Sequence, residues 1–534
     1  MTHYPAHSTI FNYAKQNQQK VACIQDNEIL TYQQLAVDMQ GLANLLQASE
    51  KHPSPVSQCI GIFTGKTIHA WTAIQGTLLS GRTYVPIDIK SPSTRIQFIA
   101  DTCSINTWIT TQDQLELLES IFGDQLVNHL IVILNPSSDM VDFDSHKNYL
   151  ALDSTQTLLS ENNHEVAQLY DTDQIATILF TSGSTGNPKG VAISHRAIAT
   201  FVEWGIDYFQ LTSQDKLISH APLQFDLSLF DIFCSLGSGA SCVLIPDSKA
   251  NSPQYIRNLL SQQKVSIWQS VPSMLSLLLH YGKLDAADLS SLRHVLFAGE
   301  QPVSSDIKEL GNHFAFAKFH NIYGCTETNN SFIFSFLPSE LNSSQIIPIG
   351  KPLSYIDYKI VPHSDQTQHE VAEGELQIKS PTLMNGYLLD GGSEITAING
   401  ECQDGYYRTK DLVKFDEAGN LIFCGRTDDI VKINGNRISL SDIAHYFKTH
   451  PSIEEMAVTL SEDSGLEKKL IAFLFFGSNH PLSTIQLKSF AAQYLPRYAI
   501  PNEFHISQSP LPKTTSGKID KKLLIKQQVN HVYC

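Results

Sequence analysis

Apolar positions in the first part of the chain alternate between two periods. From residue 30 to 50, Leu35, Met39, Leu42, Leu45 and Leu46 recur at helical spacing on one face, behind a Thr31 placed to cap. Ile60-Gly61-Ile62-Phe63 then reads as a short strand, Ala70 to Leu79 as a helix, and Tyr84-Val85-Pro86-Ile87-Asp88 as a strand again. Leu130 to Leu134 is the five-residue apolar run expected of a buried strand. This alternation predicts a mostly parallel sheet with helices on its faces. Residues 135 to 173 turn polar and irregular, a surface excursion before the apolar Ile175 to Phe180, and Gly391-Gly392-Ser393 sits in a second loop-like stretch.

Ile175 to Phe180 leads into the run Thr181-Ser182-Gly183-Ser184-Thr185-Gly186-Asn187-Pro188-Lys189-Gly190, which Val191-Ala192-Ile193 follows. Closely spaced glycines let the backbone curl until several N–H groups converge, while the hydroxyls and Lys189 add donors and no acidic residue intervenes. Such a nest suits a polyphosphate; an ordinary polar turn is the plainer reading. Gly65-Lys66-Thr67 looks like the end of a Walker loop, but that motif needs glycine five positions before Gly65, where Ile60 stands.

At 534 residues the chain is too long for one core. Charge density rises after Gly425, and residues 426–534 suffice for a separate small α+β unit, with a boundary expected near Arg426 to Asp429. An apolar fraction of 42% with 17% charged residues is that of a globular protein. The net charge of −16 argues against a general nucleic-acid or anionic-membrane surface. Nine cysteines without CxxC or metal-ligand spacing fit reduced thiols, with no disulfide framework and no structural zinc. The first residues carry no secretory pattern, and no apolar run approaches the ~20 residues of a membrane span. The expectation is a cytoplasmic protein with neither nucleic-acid nor membrane partners.

Further stretches recur in a set order: Leu30-Thr31-Tyr32-Gln33-Gln34-Leu35, Leu79 to Asp88, the hydroxyl-rich loop, Phe225-Asp226-Leu227-Ser228, Asn321-Ile322-Tyr323-Gly324-Cys325-Thr326-Glu327 and Gly374-Glu375-Leu376. Tyr407-Arg408-Thr409-Lys410-Asp411-Leu412, Gly425-Arg426-Thr427-Asp428, Val431-Lys432-Ile433-Asn434-Gly435-Asn436-Arg437, Leu495-Pro496-Arg497-Tyr498 and Gly517-Lys518-Ile519-Asp520 follow. In this order and spacing the chain resembles the adenylate-forming enzymes, and within them the amino-acid adenylation domains of nonribosomal peptide synthesis.

The resemblance implies an α/β fold: a large N-terminal core, residues 1–425, of mixed and parallel sheets flanked by helices with a small β-barrel-like part, and a small mobile α+β lid, residues 426–534. It also implies the site. Thr181, Ser182, Gly183, Ser184, Thr185, Gly186 and Lys189 would hold the β- and γ-phosphates of ATP. Gly299, Glu300, Asn321, Ile322 and Tyr323 would line the nucleotide, with Tyr323 stacked on adenine, Asp411 gripping the ribose hydroxyls and Arg426 a second ribose or phosphate contact. Glu327, beside Thr326, would bind magnesium, a hard cation on a hard oxygen. Lys518 would be the mobile cation that orients the substrate carboxylate against the α-phosphate. Asp428 would be the hinge, with Gly435 and Arg437 facing the site only after the turn. On the residues alone, Asp411 also fits an exposed turn, Lys518 a solvated tail and Asp226 a helix cap.

In amino-acid-activating relatives the aspartate matching Asp226 pairs with the substrate α-ammonium. The remaining pocket walls would be Leu227, Phe230, Gln269, Leu296, Ala298, Ile322, Asn330 and Ser331, mainly apolar and uncharged, which implies a small or medium neutral side chain. Leu227, Leu296, Ala298 and Ile322, with Thr328-Asn329, look most like freestanding prolyl-AMP ligases that load a carrier protein, although Gln269 and Asn330 depart from that pattern. L-Proline or a proline analogue is therefore the first expectation, D- or L-alanine the alternative, and an acyl-CoA synthetase the more distant one. The acceptor thiol would be the phosphopantetheine of a separate carrier protein, met in trans. His195 and His320 read as packing residues rather than bases. Cys325 stands where proline is usual. Lys410 stands where glycine is usual, and would be strained if that position requires φ > 0.

Overall fold

The computed structural model describes residues 5–49, 58–134, 148–152, 172–181, 188–342, 345–362, 373–389, 402–461, 468–477, 481–513, 519–521 and 523–525. Ser182 to Asn187, Gly391-Gly392-Ser393, Lys518 and most of the polar stretch 135 to 173 lie outside the described residues. Among those described, strands assemble into three large sheets of eight, nine and five members, with a three-stranded sheet and a hairpin near the C-terminus.

The local readings hold where periodicity drove them. The helix Tyr32–Ala48 starts behind Thr31, whose hydroxyl accepts from the Gln34 amide at 3.1 Å, and it buries Leu35, Met39, Leu42 and Leu46 while Leu45 stays half-buried. The helix Ile68–Leu79 packs against it so closely that a Cβ on Gly76 would sit 2.6 Å from Leu42 Cδ2. Leu130–Leu134 is buried at every residue, as a strand covered on both faces must be.

In the eight-stranded sheet Ile175–Thr181, Thr83–Pro86, Cys59–Phe63, Thr107–Thr111, Leu130–Leu134 and Asn148–Leu152 run parallel; Lys189–Ser194 and Gly386–Leu388 extend it antiparallel. The nine-stranded sheet has a parallel centre of Lys318–Cys325, His294–Ala298, Ile267–Ser270, Lys216–Ser219, Ser241–Leu244 and Val21–Gln25. One hydrophobic cluster joins residues of both sheets with the two helices above, through Tyr32, Leu42, Trp71, Ile74, Phe201 and Phe230. The small β part is an antiparallel sheet of Asp357–Pro362, Gly374–Lys379, Tyr406–Phe415, Cys402–Gln403 and Leu421–Arg426, open rather than closed on itself among the described residues. After Asp429, residues from Ile433 to Ala499 build a cluster of their own. Ile443, Phe447, Val458, Leu474 and Leu487 lie between the sheet Glu455–Leu460, Leu470–Phe475, Glu503–Ser507 and the helices Leu440–Lys448 and Thr484–Ala491.

The parallel strands of the nine-stranded sheet finish along one edge, at Ser219, Ser270, Ala298 and Cys325. The carboxyl edge of such a sheet is where open α/β folds leave their crevice, because loops rather than packed helices follow it.

Candidate active site

Three adjoining cavities open along that edge. A central one, about 70 Å³, is lined by Asp226, Leu227, Ala298, Thr326, Asn330 and Arg437 among others. On one side a cavity of about 360 Å³ takes Glu300, Asn321, Ile322, Tyr323, Asp411 and Asp428; on the other, about 500 Å³ lies beside His220, Gln269, Val271 and Gly435.

Asp226 precedes the short helix Leu227–Leu229 but does not cap it: its backbone is already helical, at φ −58° and ψ −27°, and its side chain makes no capping bond. The carboxylate instead faces the Thr326 hydroxyl. Burial pushes its pKa up, opposed by the charge of Lys432 and that hydroxyl.

Glu327 is fully buried at the end of the strand Lys318–Cys325. Arg437 Nη1 donates to both of its oxygens, at 2.7 and 2.9 Å, and the Tyr387 hydroxyl donates to Oε1 at 3.0 Å, itself 3.2 Å from the Tyr407 hydroxyl. Burial alone would raise this carboxyl, but the Arg437 charge together with the hydrogen bonds from the backbone, Arg437 and Tyr387 outweighs it and brings the pKa down to about 2. Lys189, the last cation of the hydroxyl-rich run, places its ammonium 5.1 Å from the centre of the Tyr387 ring.

Asp411 accepts from the Tyr323 hydroxyl and pairs with Arg426, which also holds Asp428 through Nε at 2.7 Å and Nη2 at 3.0 Å. Asp411 is thus buried and doubly bonded, not an exposed turn residue. Lys410 before it adopts φ +62°, the left-handed conformation in which glycine is at ease and a side chain is not.

The strands Ile430–Ile433 and Asn436–Ser439 form a hairpin whose turn, Asn434-Gly435, has φ +50° and +75°, as a two-residue type I′ turn requires. Its tip reaches the sheet edge: the Gly435 amide donates to Glu300 Oε1 at 3.0 Å, while Oε2 of the same carboxylate accepts from the Ser273 amide at 3.2 Å. Pairing across the hairpin sets Lys432 beside Arg437, so one hairpin face presents both cations to the central cavity.

The expected side-chain pocket is divided. Asp226, Leu227, Ala298 and Asn330 meet around the central cavity, and Ile322 faces the cavity of about 360 Å³ instead. Gln269 faces the third, its amide donating to the Leu227 carbonyl at 3.0 Å. Phe230, Leu296 and Ser331 are buried behind, with Phe230 edge-on to Phe209 at 5.5 Å. Asn321 spends its amide on the Pro348 carbonyl at 2.8 Å. His195 and His320 are buried and held neutral by burial. Tyr387 and Lys432 were not singled out from sequence: a tyrosine after glycine carries no motif, and Lys432 was legible only as a member of the Val431 to Arg437 run.

A family model described as AMP-binding enzyme matches residues 10–388. The chain belongs to the AMP-binding enzyme family. It is 31% identical over 509 residues to an L-proline–[L-prolyl-carrier protein] ligase of Pseudomonas fluorescens, covering 95% of this chain and 96% of that one. It is 30% identical over 476 residues to the ligase of the same name from Streptomyces coelicolor, covering 87% and 88%. In fold it matches the Vibrio cholerae adenylation domain AlmE, solved with glycyl-adenosine-5'-phosphate, at a TM-score of 0.81 and 23% identity over 99% of this chain and 98% of that one. This AMP-binding enzyme is an adenylate-forming amino-acid ligase that uses ATP, and no described helix is long and apolar enough to cross a membrane.

Magnesium is the cofactor the family implies. Among the described residues no three His, Cys, Asp or Glu side chains gather as a cage. The donor chemistry fits magnesium nonetheless, since that ion is usually held by one or two carboxylates with the rest of its shell from phosphates and water, and Glu327, next to Thr326 in the chain, is a buried carboxylate.

Proposed function

We propose that this enzyme activates a small neutral amino acid, L-proline or a proline analogue, as its aminoacyl-AMP with release of pyrophosphate, and then passes the aminoacyl group to the phosphopantetheine thiol of a separate carrier protein. Asp226 carries the reading: a carboxylate that caps no helix, lines the central cavity and, despite the Lys432 charge, is held above its usual pKa by burial is suited to pairing with an α-ammonium. The names of the two ligases above support proline and a carrier. The small central cavity, about 70 Å³, favours alanine as the second reading.

A substrate carboxylate oxygen attacks the α-phosphate in line, the bond to the bridging oxygen breaks and pyrophosphate leaves; the carrier thiolate then attacks the activated carbonyl and AMP departs. Thr181 to Gly186 and Lys189 hold the leaving phosphates. Gly299, Glu300, Asn321, Ile322 and Tyr323 take the adenine side, and Asp411 with Arg426 the ribose. Glu327, beside Thr326, would hold magnesium, which would supply charge neutralisation on the leaving phosphates. Lys518 orients the attacking carboxylate. Residues 1–425 act as the core and 426–534 as the lid, turning at Asp428, which Arg426 grips through two bonds. We assign the seating of the Asn434-Gly435 turn on Glu300 to the second, thiol-transfer half.

ATP–pyrophosphate exchange across the proteinogenic amino acids, methylprolines and D-alanine tests the reading, followed by mass analysis of a phosphopantetheinylated carrier. Exchange is expected with proline or another small neutral amino acid and to be abolished in Asp226→Ala. Preference for an acidic or basic amino acid, or full exchange in Asp226→Ala, overturns it.

A further inference from the structure

We infer that the buried pair Lys66–Asp231 holds a π-helical turn, Phe230–Cys234, in the helix that follows Asp226, and that Lys66 and Asp231 are thereby positioning residues for the amino-acid half of the site. The inference rests on the reading of Asp226 as the partner of the substrate ammonium, but not on which neutral amino acid is activated.

Lys66 is the lysine of the Walker-like Gly65-Lys66-Thr67, and the fold turns it inward rather than toward a phosphate. Its ammonium donates to the carbonyl of Ser219, the last residue of the strand Lys216–Ser219, at 2.7 Å, and its own carbonyl accepts from Gln25 Nε2 at 2.9 Å. Among the acids around it Asp231 acts most strongly on its charge, ahead of Asp247. Asp231 is 1% exposed. The Ser219 hydroxyl and the His220 amide lie near its carboxylate without reaching hydrogen-bond distance, so its charge is answered by Lys66. Burial raises the carboxyl and lowers the amine, and each charge opposes the shift of the other. Such a pair is costly to break at one end, because the remaining charge stays buried without its counter-ion.

The pair acts on the exceptional part of its helix. Leu227–Leu229 is α-helical, Phe230–Cys234 is π-helical and Ser235–Ser238 is α-helical again. A π-turn takes in one residue more than an α-turn and is rare. Here the Ser235 hydroxyl donates to the Asp231 carbonyl at 2.5 Å, and the helix His195–Tyr208 packs so closely that a Cβ on Gly205 would stand 2.9 Å from Cys234 Sγ. An α-helix advances about 100° per residue, so reversion of this turn to α geometry would swing Asp226 and Leu227 by about 100° around the axis relative to Ser235–Ser238. Both residues line the central cavity, and the turn therefore decides whether the Asp226 carboxylate meets a substrate there.

The test measures ATP–pyrophosphate exchange by the full-length enzyme over a range of L-proline concentrations, and of L-alanine if the wild type prefers it. Lys66→Met and Asp231→Asn are each expected to raise KM for the amino acid at least tenfold while KM for ATP moves less than twofold. Lys66→Arg should recover most of the loss, and the Lys66→Met, Asp231→Asn double variant should be no worse than the weaker single one. A merely structural role would lower the melting temperature and the active fraction, and with them the maximal rate, but leave KM where it was. Should Lys66→Met fail to fold, Ser235→Ala decides, since it removes only the hydroxyl on the Asp231 carbonyl: its amino-acid KM is expected to rise at least threefold. A wild-type amino-acid KM in folded Lys66→Met, or in Ser235→Ala where Lys66→Met does not fold, overturns the inference, as does an equal rise in both KM values. If Asp226 is not the ammonium site, Asp226→Ala itself exchanges at full rate; if only the positioning role fails, Asp226→Ala is inactive while Lys66→Met binds its amino acid normally.

Discussion

Four buried histidines make the folded enzyme sensitive to mild acid. His7, His195, His220 and His320 are each no more than 9% exposed, and burial lowers their pKa values to about 3, 4, 4 and 2. Their surroundings reinforce this. The Lys66 charge lowers His220 further, against the Ala250 carbonyl 2.9 Å from Nε2, which favours the protonated ring. His320 meets His294 at 2.9 Å, so protonating both would set two cations in contact. The unfolded chain binds protons near pH 6.5 while the folded one does not, so these groups leave stability intact above about 6.5 and remove it as pH falls toward their folded values. Each costs about 1.4 kcal/mol per pH unit in that window, and the four together about 5 kcal/mol between pH 7.5 and 5.5. That is comparable with the whole stability of an ordinary fold, about 5–15 kcal/mol. Urea unfolding followed by tryptophan fluorescence at pH 7.5, 6.5 and 5.5 should show the midpoint of the main transition falling steeply between the last two. His320→Gln should remove roughly a quarter of the dependence. A midpoint at pH 5.5 equal to that at 7.5 would refute the reasoning.

Two further substitutions probe the hairpin and the Lys410-Asp411 segment. A Cβ on Gly435 would stand 2.7 Å from Val271 Cγ1 at a φ of +75°, so Gly435→Val should unseat the hairpin and slow carrier loading at least tenfold; loading at the wild-type rate would show that the turn need not seat. Lys410→Gly removes a side chain from φ +62° and should raise stability by about 1 kcal/mol, read as a higher melting temperature; a fall would mean that the lysine side chain contributes more than its backbone costs.

The parts of this enzyme legible in its sequence are those governed by near neighbours. Helical spacing placed Leu35, Met39, Leu42 and Leu46 on a buried face and made Thr31 a cap, because both depend on residues three or four positions away. The apolar run Leu130 to Leu134 had the length and composition expected of a buried strand, and the ordered motifs from Leu30 to Asp520 were enough to indicate the family. Asp226 was ambiguous locally, since an aspartate before an apolar turn suits a cap as well as a ligand; only its observed backbone angles and the Thr326 hydroxyl turn it to the cavity. The pocket walls inferred by motif are likewise separated in space, with Phe230, Leu296 and Ser331 claimed by the core and Ile322 by the cavity beside Tyr323 and Asp411, because burial is decided by packing between distant elements. Most of all, Arg437 meets Glu327 across 110 residues of chain. Sequence by itself determined the elements, the family and the chemical groups on offer. Which of those groups neutralises the buried Glu327 depends on how the last segment seats against the sheet edge, a long-range contact that tertiary structure alone decides.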